Sequence, residues 1–308
     1  MEEILRFEGV SYSYDNSKLI LDNIDVSFTK GKFYTIIGAS GSGKTTFLSL
    51  ASGLDTQKSG NIFYNNSNLK EIGLERYRNK YASIIFQGYN LLNYMTAIEN
   101  ITSAMSIKGI KGKDNKEVAL NILKRVGLTE DQAKQKVLTL SGGQQQRVAI
   151  ARALCCESNL IIADEPTTAL DVTVQSQILE LLQQIAEETG TAIIMITHDL
   201  GVVATLCQKI NIMYGGQIVE HGTTDEIFYN PKHPYTMGLL RSIGTHTNGE
   251  RQSLIPIPGT PPDLLKLNSG CAFMPRCSKA MKICKDYMPC RTQFSEDQYC
   301  SCWEYCKD

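Results

Sequence analysis

The 308-residue chain has no surplus of charge: 31 Lys and Arg stand against 32 Asp and Glu, a formal net charge of −1. That balance gives no sign of a nucleic-acid partner, which would draw on a basic face. Long apolar runs are missing too. Stretches such as "TAIIMIT" (191–197) are far too short to cross a bilayer. The opening "MEEILRFEGV" lacks a basic region followed by an apolar core, so no secretory signal is expected and a cytosolic protein is. There are no repeats at solenoid spacing and no sustained heptads. What is abundant is cysteine, and it is unevenly placed: seven of the ten fall in the last 38 residues. In a reducing compartment such a cluster points to ligands or free thiols before disulfides.

The length allows one large domain with an appendage, or two modest domains. Residues 1–14 and 22–30 alternate apolar and polar, as half-buried strands do. "KFYTIIG" (32–38), "YASIIFQ" (81–87), "LIIADE" (160–165) and "TAIIMIT" read as buried strands, and "KINIMYGGQIVEHG" as strand and hairpin. Helical spacing marks 115–126, 143–154 and "VQSQILELLQQIAEE", where Ile178, Leu181, Leu182 and Ile185 share a face. Strands alternating with helices predict an α/β core with a largely parallel sheet. Near residue 245 the texture changes. "IPIPGTPPDLL" (255–265) breaks regular structure and reads as a linker or an extended strap.

The most specific local motif is "GASGSGKT": Gly38, Ala39, Ser40, Gly41, Ser42, Gly43, Lys44 and Thr45. It follows an apolar strand and opens a helix that continues with Thr46, the context in which a phosphate-binding loop works. Glycines let backbone N–H groups turn inward as an anion nest, and the helix dipole adds to the attraction. Lys44 is expected at the β- and γ-phosphates, and the Thr45 hydroxyl on Mg²⁺. "LIIADE" delivers Asp164, a water-mediated Mg²⁺ ligand, and Glu165, a general base for the attacking water. "LSGGQQQR" (140–147) supplies a second helix start with the makings of a phosphate site.

The motifs "GASGSGKT", "LSGGQ", "LIIADE", "TALD" and "TH", in that order and spacing, resemble those of ATP-binding-cassette (ABC) ATPases over roughly residues 1–240. The resemblance implies a P-loop ABC nucleotide-binding domain (1–240), a mixed sheet core with a helical subdomain, followed by a small cysteine-rich extension (241–308). It implies a head-to-tail dimer, homo- or heteromeric, in which Ser141, Gly142, Gly143 and Gln144 cap the ATP of the other subunit. It further implies that Tyr14 stacks on adenine, with Tyr12 the competing aromatic. Gln87 would sense Mg²⁺ and the γ-phosphate, Asp171 would meet the partner, and His198 would be the γ-phosphate switch. Such a motor needs separate permease chains at the cytoplasmic face of the membrane.

Two subgroups are represented. "ADEPTTALDVTVQSQILELL", "ITHDLGVVA", "MYGGQIVEHGTTDEIFYNPKHPYT" and "IPGTPPDLL" resemble the ATPases of oligopeptide, dipeptide and nickel importers, which act with a substrate-binding protein. "FQGYNLLNYMTAIENI" and "SGGQQQRVAIARAL" look more like the lipoprotein-releasing and macrolide-export group. Peptide import is the expectation, export the alternative. A soluble ABC ATPase of repair or translation would want a coiled-coil insertion or a second P-loop, and neither is present. A vestigial, nonenzymatic metal-binding regulator sits badly with intact Lys44, Asp164, Glu165 and His198.

In the importer group the tail pattern corresponds to Cys271, Cys277, Cys284 and Cys302, which implies ligands of a [4Fe–4S] cluster. Spacing alone matches neither zinc pairs nor ferredoxin runs, so zinc and free or oxidised thiols stay open. Cys290, Cys300 and Cys306 fall outside the pattern, and Cys300 is a potential stand-in for Cys302. Cys155, Cys156 and Cys207 read as small core residues.

Overall fold

The computed structural model describes residues 2–15, 18–110, 112, 114–168, 170–243, 255–264, 267 and 269–306. The alternating N-terminal segments form β1 (Glu3–Tyr12) and β2 (Leu21–Thr29), an antiparallel pair. β4 (Ser59–Tyr64) joins the other edge of β1 and β5 (Ser67–Asn68) follows, giving the order β2-β1-β4-β5.

The apolar runs build a second sheet. Its strands are β3 (Phe33–Ile37), β6 (Ala82–Ile85), β7 (Leu160–Asp164), β8 (Ala192–Thr197), β9 (Lys209–Tyr214), β10 (Gln217–Thr223), β11 (Arg291–Gln293) and β12 (Tyr299–Ser301). The order is β11-β12-β10-β9-β3-β8-β7-β6. β9, β3, β8, β7 and β6 run parallel, and β10, β12 and β11 continue antiparallel.

Near-continuous apolarity has a physical cause here: both faces of the parallel strands are covered. The period of two splits each strand between two cores. Phe33, Ile37, Ile161, Ala163, Ile193 and Met195 face the helical side. Tyr34, Ile36, Leu160, Ile162, Ile194 and Ile196 face the antiparallel sheet. Helices Ala97–Ile107, Asn115–Arg125 and Gly142–Leu154 pack together as the helical layer. The helix Val172–Thr189 buries Ile178, Leu182 and Ile185 as expected. Leu179 completes the stripe instead of Leu181, which is only half-buried.

The β9–β10 hairpin turns through Gly215 and Gly216, both at positive φ (57° and 78°), as a two-residue primed turn demands. A Cβ on Gly216 would lie 2.2 Å from the Ile20 carbonyl oxygen, so the turn also needs the space.

The cysteine-rich extension does not stand apart from this sheet. β12 pairs with β10 through Glu220↔Cys300 and His221↔Tyr299. Glu220 is fully buried and accepts N–H bonds from Lys232 and His233, tying strand, following segment and tail together. Among the described residues, no helix is long and apolar enough to cross a membrane.

Candidate active site

The parallel strands all end at one edge, where ligands of open α/β sheets bind. The P-loop follows β3. Gln87 lies two residues past β6, Asp164 ends β7 with Glu165 next, and His198 follows β8. A cavity of about 600 Å³ joins them, lined by Tyr14, Ser40, Gly41, Gly43, Lys44, Thr45, Thr46, Gln87, Asp164, Glu165 and His198. Gly38, Ala39 and Ser42 belong to the same loop but do not line the cavity. A Cβ on Gly38 would lie 2.3 Å from the Met213 carbonyl oxygen and 2.5 Å from Ser42 Oγ, so only glycine seats the loop on the β9 strand. Gly216 donates its N–H to the Ser42 carbonyl at 3.0 Å, fastening the loop to the hairpin.

Lys44 is buried and donates to the carbonyls of Gly38 and Ala39 (2.8 and 2.9 Å). Burial holds its pKa below the usual lysine value, against the pull of Glu165 and Asp164. Asp164 is pushed up, first by burial and then by the neighbouring Glu165. Glu165 sits at φ 43°, a left-handed conformation that costs a non-glycine residue energy and recurs at functional sites. Its carboxylate faces His198 Nδ1 at 3.0 Å and accepts from Thr168 Oγ1 (2.9 Å) and Gln87 Nε2 (3.3 Å). Burial raises its pKa, but the hydrogen bonds from His198 and Thr168 outweigh that and leave it below the usual carboxylate range. A charged carboxylate fixed at the end of the phosphate cavity is what a general base for water requires. Thr45, Gln87 and Asp164 bring hydroxyl, amide and carboxylate oxygens into the same cavity, a hard donor set that fits Mg²⁺.

Tyr14 is 68% exposed at the cavity mouth, its hydroxyl 3.1 Å from Thr46 Oγ1. Tyr12 is buried and bonded to Asp55, which leaves Tyr14 as the accessible ring. The signature lies elsewhere. Ser141 caps the helix Gly142–Leu154 in a reciprocal box with Gln144, and none of Ser141–Gln144 lines the cavity. Gly143 abuts Val174, where a Cβ would stand 2.7 Å from Cγ1. Asp171 caps the helix Val172–Thr189 by accepting the Val174 N–H at 2.9 Å.

Comparison with known proteins agrees with this geometry. A family model described as "ABC transporter" matches residues 21–168, and one described as "Oligopeptide/dipeptide transporter, C-terminal region" matches 219–284. The oligopeptide transport ATP-binding protein OppD of Salmonella typhimurium is 39% identical over 301 residues, covering 94% of this chain and 89% of that protein. The chain belongs to the ABC transporter ATP-binding proteins. The uncharacterized ABC transporter ATP-binding protein YclH of Bacillus subtilis is 55% identical over 197 residues, 64% of this chain and 87% of that one. Among solved structures, the dimeric post-hydrolysis state of the ATP-binding cassette MJ0796 bound to ADP and Pi superposes with a TM-score of 0.66 at 32% identity. It covers 72% of this chain and 99% of that one.

Other residues of this ABC ATPase site were not singled out from sequence. Ile20 and Leu264 line the cavity, and Leu264 belongs to the proline-rich strap. Tyr235 donates no part of a motif, yet its hydroxyl accepts the Ala39 N–H at 2.9 Å. Its ring lies 4.5 Å from Tyr214 and 5.4 Å from Phe273, between the two tail cysteines Cys271 and Cys277. Arg276 donates to Tyr214 Oη and to the carbonyls of Ile257 and Pro258. The tail thus braces the P-loop from behind.

The structure brings Cys271, Cys277, Cys284 and Cys302 into one neighbourhood. Burial pushes the Cys271 thiol up to about 11, and the three other thiols push the same way. Among the described residues, however, no three His, Cys, Asp or Glu side chains gather closely enough to hold a metal ion. The iron–sulfur expectation therefore has the right donors without support from their arrangement. The expectation against disulfides meets a correction: Cys290 and Cys306 are disulfide-bonded, Cα atoms 5.9 Å apart. The antiparallel return of β11 onto β12 brings these two positions together, which spacing cannot reveal. Cys300, the potential stand-in ligand, is fully buried on β12.

Proposed function

We propose that this ATPase energises the import of oligopeptides or dipeptides across the cytoplasmic membrane, from its cytoplasmic face, with separate permease chains. The observation that carries this is the importer-type C-terminal region, whose Phe273 and Arg276 are built into the wall behind the P-loop. A substrate-binding protein outside the membrane would deliver cargo, and no nucleic acid takes part. Residues 1–240 act as the motor and 241–308 as its extension.

In this reading backbone N–H groups of the loop other than those of Ala39 and Ser42, which bond within the protein, and the Lys44 ammonium hold the ATP phosphates. Tyr14, with Ile20 and Leu264, forms the wall for the adenine. Thr45, Gln87 and Asp164 would hold Mg²⁺, which neutralises charge on the β- and γ-phosphates. Glu165 Oε2 takes the proton of the attacking water, while His198 and Thr168 keep the carboxylate in place. Ser141–Gln144 stand outside their own cavity because they serve the partner's, with Asp171 at the same contact. ATP binding closes two subunits, hydrolysis reopens them, and the motion reaches the permeases past Gln87. The four tail thiols are read as ligands of a [4Fe–4S] cluster because the tail resembles that of the importer group, the donors themselves suiting zinc as well. Anaerobically purified protein is then expected to carry about four irons per chain, and colourless, iron-free protein rejects the cluster.

The test of the function is a pull-down from native membranes with Glu165→Gln, which stalls the ATP-bound pair. Peptide-type permeases and a related second ATPase support import. A large-ectodomain permease supports the lipoprotein-release or macrolide-export reading that the 86–101 text favours. Reconstitution with peptide-type permeases must give ATP-dependent peptide uptake, and its absence ends the import reading.

A further inference from the structure

Two cysteines away from both the nucleotide cavity and the tail stand side by side. Cys155 caps the C-terminus of the helix Gly142–Leu154 and Cys156 follows it. Their Sγ atoms are 3.9 Å apart. The cause is local. Helix ends leave carbonyls short of N–H partners, and both thiols donate to one of them, the Arg152 oxygen, at 3.0 and 3.3 Å. Two side chains that would otherwise diverge around the helix are drawn together.

The surroundings suit a reactive pair. Lys108 donates from Nζ to the Cys156 carbonyl (3.2 Å) and to Ser158 Oγ (3.1 Å), which places an ammonium beside the thiols. The contact with Cys155, and then Lys108, hold the Cys156 thiol below the usual thiol range against its burial, while the same contact and burial push the Cys155 thiol well up. Cys155 lines a cavity of about 610 Å³ whose apolar wall includes Met105, Ile110, Val118, Ile122 and Leu154. Cys156 is half-buried rather than sealed in the core. Cys155 is a buried core residue, as the sequence suggested, and Cys156 packs at the edge of the same core.

We propose that Cys155 and Cys156 form a dithiol site that chelates a trivalent arsenical, with an aryl group seated in the adjoining cavity. With the hydrated form of an arylarsine oxide, two As–O bonds break and two As–S bonds form. The two thiol protons leave with the two hydroxyls as water. Arsenic stays trivalent throughout, so no oxidant or reductant is needed. A single thiol makes a labile adduct. Two on one backbone turn the second bond into an intramolecular step.

The test uses the full chain, reduced, with an equimolar amount of phenylarsine oxide and then excess 2-mercaptoethanol. Proteolysis and tandem mass spectrometry locate what remains. The expected result is phenylarsenic bridging Cys155 and Cys156, with both thiol protons lost, released by 2,3-dimercaptopropanol. Fragments carrying Cys155 and Cys156 unmodified, with the reagent gone or held in the tail, overturn the proposal. Cys155→Ser is expected to lower monothiol-resistant capture at this segment at least about tenfold, and undiminished capture there overturns chelation by the pair.

Discussion

Tyr235→Phe is the substitution that isolates the brace behind the P-loop. It removes one oxygen and leaves the ring against Tyr214 and Phe273. The lost atom accepts the Ala39 N–H at 2.9 Å. Tyr235 is buried, and burial pushes its hydroxyl up to about 12, so it stays a neutral hydroxyl across the working pH range. A net hydrogen bond of this kind contributes about 1 kcal/mol, and a buried N–H left unpaired costs about 1–3 kcal/mol. Ala39 is half-buried, so the lower end applies. The bond holds the loop in the wrapped form that nucleotide needs. Its loss is therefore expected to weaken ATP binding by up to about fivefold, the equivalent of about 1 kcal/mol. Titration with a fluorescent ATP analogue reads the affinity, and urea unfolding of the same protein reads the stability. Unchanged affinity alongside reduced stability refutes the reasoning, because Tyr235 would then merely pack.

Glu165→Gln keeps the shape of the site and removes the base, so ATP turnover is expected to fall about 10²- to 10⁴-fold, while nucleotide affinity in the same titration holds. Folding stability is expected to fall as pH drops below the ordinary histidine value of 6.5. Burial holds His221 down to about 4 and His233 to about 3, so the unfolded chain takes up their protons first. The loss runs between 6.5 and the two folded values, at up to about 1.4 kcal/mol per pH unit for each histidine. Urea midpoints that stay level from pH 7 to pH 5 contradict this. Gly216→Ala is expected to cost more than about 1 kcal/mol, since φ is 78° and the new Cβ would meet the Ile20 oxygen at 2.2 Å; thermal melting decides it.

Much of the machinery was legible because its chemistry is local. The glycine-rich turn after an apolar strand was legible as a phosphate-binding motif, and Lys44 and Thr45 are positioned by that turn itself. The apolar run "LIIA", stopped soon after by Pro166, sets Asp164 and Glu165 at a strand end. The parallel strands and the faces of two helices were equally plain, apart from the exchange of Leu181 for Leu179, a choice that depends on which neighbour the helix meets. β4, the helix Ala97–Ile107 and the tail strands β11 and β12 were not read.

Long-range pairing fixed the remainder, and a one-dimensional pattern does not contain it. The tail reads as an appendage, yet β12 joins β10 about 80 residues upstream. Leu264 lines the nucleotide cavity, and Tyr235 bonds the loop at Ala39, only because the strap and the aromatic cluster fold back against the P-loop. Cys290 finds Cys306 through a hairpin return. The sequence by itself determined the chemistry of ATP binding, since motif spacing and backbone geometry act within a few residues. Only the tertiary structure decided what braces that site and which thiols meet. Those outcomes depend on strand order and on the close approach of segments far apart in the chain.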